Sequence, residues 1–409
     1  MAPSSRTVRF AGIVVVATIA LISILRLSTT SSASSSSHLD SLSKYFNTAN
    51  GKPAPSSVPD SFYYDFDSEE TSVTAVDAGT SASAISPLPA STTLHERANA
   101  TLLMLARNSD VDGAVSSVRD VEDRFNRKFG YPWVFMNEEP FSEDFKKRVS
   151  ILIQSPVTFL QIPHDHWYQP EWIDEARATD GRNKMVMKNI IYGGSVSYRN
   201  MCRFNSGFFF KHEFLQQYRW YWRVEPDIHF HCDIDFDPFV YMQAQNKTYG
   251  FTISMFEFEA TITTLWSTVR EFTNQHPEYV AEDNSMDFVS DNGGSKYNLC
   301  HFWSNFEIAD MDFWRSEAYT KFFDYLDSKG GFYYERWGDA PVHSIAAALF
   351  LRKDQIHFFR EIGYEHNPFN HCPQEEDLWR RGRCSCNPEK TFDWDTYSCL
   401  ARWERLMES

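Results

Sequence analysis

Hydrophobic positions divide the chain into three stretches of different character. From Phe10 to Leu25 they are almost unbroken, FAGIVVVATIALISIL. From residue 28 to about 93 they thin out among Ser, Thr, Pro and Ala, beginning with STTSSASSSS and continuing through PAPSSVP and ISPLPASTT. From about 98 they return as short apolar runs alternating with helical periods. ATLLMLAR (100–107) reads as a buried strand ending at the turn NSDVDG. VDGAVSSVRDVEDRFNRKF follows, with apolar residues at 111, 115, 118, 121 and 125, and is expected to be a helix capped by Asp110. YPWVFMNE reads as a second buried strand, FSEDFKKRVS as a helix and VTFLQIP as a third strand. This βαβα alternation predicts an α/β fold on a parallel or mixed sheet, with its ligand outside the carboxyl ends of the strands.

The first stretch is an address. Its 16 apolar residues fall short of the roughly 20 that span an average bilayer, but thinner early secretory membranes accept such lengths. Arg6 and Arg9 precede the run and Arg26 closes it. A cleaved signal peptide and a signal anchor both fit this pattern; the flanking arginines and the absence of a compact A-x-A site after Leu25 favour the anchor. The expected organisation is a cytosolic tail at 1–9, a transmembrane anchor at 10–27, a Ser/Thr/Pro-rich luminal stem at 28–97 and a catalytic domain at 98–409. FYYDF at 62–66 is the one apolar cluster in the stem. Asn99-Ala-Thr101 and Asn246-Lys-Thr248 are N-glycosylation sequons, consistent with a lumen.

Composition narrows the function. Lys and Arg number 39 against 55 Asp and Glu, a formal charge of −16, which argues against nucleic acid as a partner. Aromatic residues make up 16% of the chain, enough for a thick core or a ring-binding cleft. No GxGxxG follows the first strand and no GxxxxGK[ST] occurs, so a dinucleotide oxidoreductase and a P-loop kinase lose support. Four of the seven cysteines, Cys372, Cys384, Cys386 and Cys399, fall in the last 38 residues. Their spacing lacks the C-x2-C pairs of common zinc sites, so disulfides clipping the C-terminal loops are expected. The odd total leaves at least one thiol free or paired between chains.

The acidic clusters carry the candidate chemistry. Glu225 and Asp227 flank Pro226 after the β-prone run YRWYWRV, and in an extended chain they would share one face. A carboxylate at a strand end holds a divalent ion while leaving positions for phosphate oxygens. Asp233-Ile-Asp235-Phe-Asp237 is a rival row, whose bland reading is the solvated face of an edge strand. Spacing alone does not choose between them. His229 and His231 also alternate, but no third zinc ligand is evident nearby.

At this point four segments carry a resemblance: SYRNMCRFNSGFF (197–209), YWRVEPDIHFHCDIDFDPF (221–239), YNLCHFWSNFEIA (297–309) and GGFYYERWGDAPVHSIA (330–346). The chain from about 98 onward resembles the fungal α-1,2-mannosyltransferases of the Kre2/Mnt type, glycosyltransferase family 15. The resemblance implies a GT-A type fold, a mixed, largely parallel central sheet flanked by helices. It implies retaining transfer of mannose from GDP-mannose to a mannosylated glycoprotein, with Mn2+, in a single-pass type II Golgi membrane protein. It places EPD at the metal, with Glu225 touching the ion and Asp227 orienting the site or binding nucleotide. It also matches His366, in EIGYEHNPFNHC, to the family's histidine ligand.

The resemblance brings two residues to the reacting centre. Glu307, in WSNFEIA, matches a proposed nucleophile, against the alternative of a buried Glu hydrogen-bonding acceptor or backbone. Tyr198, in VSYRNM, matches a tyrosine near the sugar C1 and the acceptor hydroxyl, against the alternative of a stacking platform. Double displacement and a same-face route both stay open. Asp339, in RWGDAPVHS, would face sugar hydroxyls or cap the following helix, on which His343 faces site or core. Arg107, ending the first strand, is a nucleotide contact in such folds. Tyr221, Trp222, Trp303, Tyr333, Tyr334 and Trp337 read mostly as core, with one or two lining the acceptor groove. A mannosylphosphate or other GDP-sugar transferase, and a non-catalytic carbohydrate-binding protein, are the competing functions.

Overall fold

Among the described residues, twelve short strands organise the fold. In chain order they are β1 (Ala100–Leu105), β2 (Trp133–Asn137), β3 (Val157–Gln161), β4 (Trp220–Val224), β5 (Ile228–Phe230), β6 (Tyr249–Phe251), β7 (Ser254–Phe256), β8 (Cys300–Phe302), β9 (Phe306–Asp310), β10 (Ile356–Phe358), β11 (Tyr364–His366) and β12 (Phe369–His371). The computed structural model describes residues 97–408. The tail, the apolar run at 10–27 and the stem up to residue 96 lie outside the described residues. Among the described residues no helix is long and apolar enough to cross a membrane.

Seven strands form the main sheet in the order β10-β6-β9-β4-β1-β2-β3. Neighbours pair in parallel except at β9, which runs antiparallel to β4 and β6. β1, β2 and β4 are buried on both faces because helices cover both sides of the central strands. On one face Trp222 packs among Phe125, Phe230, Phe239 and Phe306. On the other, Leu103, Tyr221, Arg223 and Glu307 line a small cavity with Phe204 and Asn205 of the helix Val196–Gly207 and His343 of the helix Asp339–Phe350. The cavity side therefore carries the polar groups.

The expected βαβα opening is present, with the helices Val111–Val121 and Glu143–Ser150 between the first three strands. The periodic stretch extends through a π turn at Glu122–Asn126, which keeps Phe125 on the buried face. Asp110 stands at the N-cap, but its carboxylate accepts from the Arg107 N–H at 3.0 Å and makes no bond to the helix. Ser142 does cap its helix, accepting from the Phe145 N–H at 3.1 Å.

A three-stranded antiparallel sheet, β12-β11-β5, lies beyond the end of β4. Its register sets His366 opposite Ile228, Glu365 opposite His229 and Tyr364 opposite Phe230. Disulfides fix this region: Cys232–Cys384 and Cys372–Cys386 lie beside the small sheet, and Cys300–Cys399 ties β8 to the C-terminal helix. Every one of the three uses a tail cysteine, as the clustering predicts, and Cys202 is left as a buried thiol. Closing loops that separate partners by 152 and 99 residues removes much conformational freedom from the unfolded chain.

Candidate active site

Strand β4 ends and the chain turns at once. Asp227 adopts φ 62°, in the left-handed region, so Glu225 and Asp227 do not alternate along an extended strand. The shared-face expectation fails because Pro226 and Asp227 form the turn that reverses the chain into β5. The Asp227 N–H donates to Gly113 O at 3.2 Å. Its carboxylate lies directly over the same residue; a Cβ there would stand 2.5 Å from Asp227 Oδ1. Gly113 is thus the residue that lets Asp227 rest on the first turn of a helix.

Glu225 is held by Arg223, whose Nε donates to Oε1 at 2.6 Å. The same guanidinium donates through Nη1 to Asp339 Oδ2 at 2.5 Å, where Ser304 also donates at 2.8 Å. Burial tends to lower the Arg223 pKa, but Glu225, Asp339 and Glu307 raise it well above the ordinary value. Burial alone would raise Asp339; Arg223, His343 and the hydrogen bonds outweigh it, and its carboxyl is held below the usual range. Asp339 therefore does not cap the helix it opens: Gly338 is the N-cap, with no side-chain bond. Arg223 and Ser304 escaped the sequence reading. A single arginine in the otherwise apolar strand WYWRV was the available signal.

Across the small sheet stands His366. Its ring meets Trp303 edge-on at 5.3 Å between centroids. Burial lowers its pKa against the opposing pull of Glu225 and Asp227. Its Nδ1 is buried without a hydrogen-bond partner, an orphan in a neighbourhood of carboxylates. Among the described residues, no three or more His, Cys, Asp or Glu side chains are assembled as a metal cage. One carboxylate and one imidazole suit an ion that takes its remaining ligands from a diphosphate.

Glu307 is in a different setting. It has no exposed surface, and the Tyr221 hydroxyl donates to Oε1. His343 Nδ1 lies 2.9 Å from Oε2, and its Nε2 lies 3.0 Å from Asn205 O. Both ring nitrogens of His343 and both oxygens of Glu307 are therefore engaged in hydrogen bonds. His343 thus faces the core, stacked on Trp314 at 4.3 Å.

Tyr198 lies half-buried on the first turn of its helix, where Ser195 caps its N–H at 3.1 Å. Its ring stacks on Tyr192 at 4.5 Å and faces the Arg336 guanidinium at 5.1 Å. Burial, with Cys202, Asp339 and Glu257, raises the phenol well above its ordinary pKa despite Arg336. Arg107 lies exposed just past β1, ion-paired to Asp110 at 3.3 Å. Of the six aromatics, Tyr221, Trp222, Tyr333 and Trp337 are core, whereas Trp303 is half-buried beside His366.

The second acidic row is not a strand, so the edge-strand reading fails. Asp233 is paired by Arg124 and Arg383, Asp235 by Lys128, and Asp237 accepts from Tyr131 at 2.6 Å and caps the helix Pro238–Ala244. His231 bonds Glu365 at 3.0 Å and His229 bonds Asp120, so this pair joins strand and helix.

The sheet, with one reversed strand and its polar groups at the end of β4, defines a GT-A glycosyltransferase. A model of the glycolipid 2-alpha-mannosyltransferase family matches residues 60–408, and the chain belongs to that family. It is 54% identical over 312 residues to glycolipid 2-alpha-mannosyltransferase 2 of Candida albicans, covering 76% of this chain and 68% of that one. It is 54% identical over 310 residues to alpha-1,2 mannosyltransferase KTR1 of Saccharomyces cerevisiae, covering 76% and 79%. Among solved structures, the mannosyltransferase Ktr4p of S. cerevisiae in complex with GDP superposes with TM-score 0.73 at 41% identity, covering 76% and 82%. Core-mannan synthase A of Aspergillus fumigatus, in an Mn/GDP form, superposes with TM-score 0.72 at 40% identity, covering 76% and 85%.

Proposed function

We propose that this protein is a retaining α-1,2-mannosyltransferase that moves mannose from GDP-mannose to a mannose-terminated glycan. The observation that carries the reading is the partnerless His366 Nδ1 near Glu225, beside the Arg223–Asp339 pair. Glu225 and His366 would hold Mn2+, which when bound neutralises charge on the diphosphate leaving group. Asp227, in the turn after β4, and Arg107, just past β1, would contact the nucleotide, because ligands of such sheets bind outside the carboxyl ends of the strands. Asp339, kept ionised by Arg223, would accept hydrogen bonds from the donor sugar.

Retention follows a same-face course in this reading. The bond from C1 to the diphosphate oxygen breaks, the bond from the acceptor oxygen to C1 forms on that face, and the acceptor proton passes to the diphosphate. Tyr198 keeps its proton and positions the two oxygens by hydrogen bonding. Glu307 supports this course as a positioning residue: a fully buried carboxyl with both oxygens hydrogen-bonded is a poor nucleophile.

Metal-dependent release of GDP from GDP-mannose in the presence of a mannose acceptor tests the assignment. Absence of turnover with and without Mn2+ would exclude it. The arginine-flanked apolar run, the exposed sequon residues Asn99 and Asn246 and the three disulfides support a luminal catalytic domain at 98–409, anchored as a type II protein in the Golgi. Protease protection of the domain in intact vesicles checks that topology.

A further inference from the structure

We propose that the exposed apolar face formed by Val186, Met187 and Tyr192 binds the aglycone of the acceptor, an apolar polypeptide segment that carries the mannose being extended. The inference rests on the mannosyltransferase reading above. The helix Glu175–Met187 is followed by a loop with two residues in the left-handed region, Asn189 at φ 53° and Tyr192 at φ 55°. The loop folds back on the helix end. Ile190 N–H donates to Met185 O at 3.0 Å, and a Cβ on Gly194 would lie 3.0 Å from Val186 Cγ2. From beneath, the buried Arg199 pins it, donating through Nη1 to Ser195 O at 2.8 Å and to Tyr192 O at 3.4 Å. On this fixed surface Val186 is 56%, Met187 75% and Tyr192 55% exposed. Neighbouring large apolar side chains held in water mark a contact face.

Position assigns the occupant. The Tyr192 ring stacks on Tyr198 at 4.5 Å between centroids, with the planes 10° apart. The apolar face therefore adjoins the residue placed at the reacting oxygens. In an α-1,2 transfer the attacking hydroxyl is O2 of the acceptor mannose, and the neighbouring ring carbon, C1, bears the aglycone. Whatever carries the mannose thus leaves the sugar right beside the reacting oxygen, where this face begins. The lining selects a polypeptide. Although the chain carries a formal −16, no Asp or Glu occurs between Asp180 and Glu213. Asn183, Lys188 and Asn189 are exposed among the apolar side chains, and Lys188 makes no ion pair among the described residues. A hydrocarbon chain would leave these amides and the ammonium without partners. A polypeptide brings carbonyls for the amides, a carboxylate for Lys188 and apolar side chains for Val186 and Met187.

The test uses the full chain with Mn2+ and GDP-mannose. The acceptors are methyl α-mannoside, octyl α-mannoside, and O-mannosyl-serine set either in a short peptide of Leu, Val and Glu or in one of glycine alone. For the wild type, the acceptor KM of the apolar peptide should lie roughly 10-fold or more below those of methyl α-mannoside and the glycine peptide, as burial of a few part-exposed apolar side chains gives. Combining Val186→Ser with Met187→Ser should erase that difference, while the KM for methyl α-mannoside stays within about twofold. Both side chains are largely solvated, so folding does not depend on them, and the wild-type comparison stands without the variant. Equal KM for all acceptors, or a preference that survives the double substitution, overturns the site. An octyl gain as large as the apolar peptide's overturns the polypeptide and puts a lipid chain in its place. Transfer to methyl α-mannoside without any aglycone preference removes only this inference; no transfer to any acceptor removes the mannosyltransferase reading and the inference with it.

Discussion

Glu225 and Glu307 flank the same arginine yet occupy opposite situations. Arg223 donates to Glu225 at 2.6 Å and stands opposite Glu307 in the β4–β9 ladder. Glu307 has no exposed surface, is hydrogen-bonded to His343 at 2.9 Å and takes the Tyr221 hydroxyl, which Trp314 in turn bonds at 3.0 Å. Glu225 is partly exposed, has one oxygen bonded, and is near enough to His366, whose Nδ1 has no partner, to raise that imidazole's pKa. The difference teaches how to sort carboxylates in one cleft. A group whose hydrogen-bonding capacity is used up holds the scaffold, and a group left half-used is waiting for a ligand.

The hardest test of that contrast is Glu225→Ala. Metal-dependent turnover should fall by at least about 100-fold, while the melting temperature changes little because the side chain is partly solvated and Arg223 keeps Asp339. Full activity would place the ion elsewhere and dissolve the comparison. Next in size, Tyr198→Phe removes only the phenol oxygen. It should lower kcat about 100-fold with little change in acceptor KM, a split that a mere stacking platform would not give.

Glu307→Gln sharpens the other side. The amide can still accept from Tyr221 and donate to His343 Nδ1. Turnover should therefore stay within about tenfold while stability drops by about 1–3 kcal/mol, read by chemical denaturation. A loss of several orders of magnitude in kcat with intact stability would restore Glu307 as an obligatory nucleophile. The smallest effect is expected far from the cleft. Burial pulls the His371 pKa down, but Asp393 at 2.8 Å raises it overall. A raised folded value means stabilisation present below about pH 6.5, lost as pH rises through that raised value. Asp393→Asn should flatten the decline in melting temperature above pH 6.5; an unchanged slope would show that the pair is pH-silent.

The sequence by itself determined the α/β alternation, since apolar runs such as ATLLML and the 3.6-residue period of 111–125 are local properties. It determined that tail cysteines form disulfides, because seven cysteines with four crowded at one end leave few other uses in a lumen. The family motifs brought Glu225, Asp339 and His366 into view. Tertiary structure alone decided how they meet. His366 reaches the end of β4 only because β11 pairs with β5, a register joining residues 138 positions apart, as for His366 and Ile228. The turn at Asp227 broke an alternation that spacing had suggested, and long-range salt bridges removed Asp233 and Asp235 from the candidates. Whether a buried carboxylate is spent or free depends on partners such as His343 and Tyr221, from distant helix and strand. Local sequence fixes which groups exist and which backbone they prefer; only packing brings together the neighbours that satisfy those groups or leave them open.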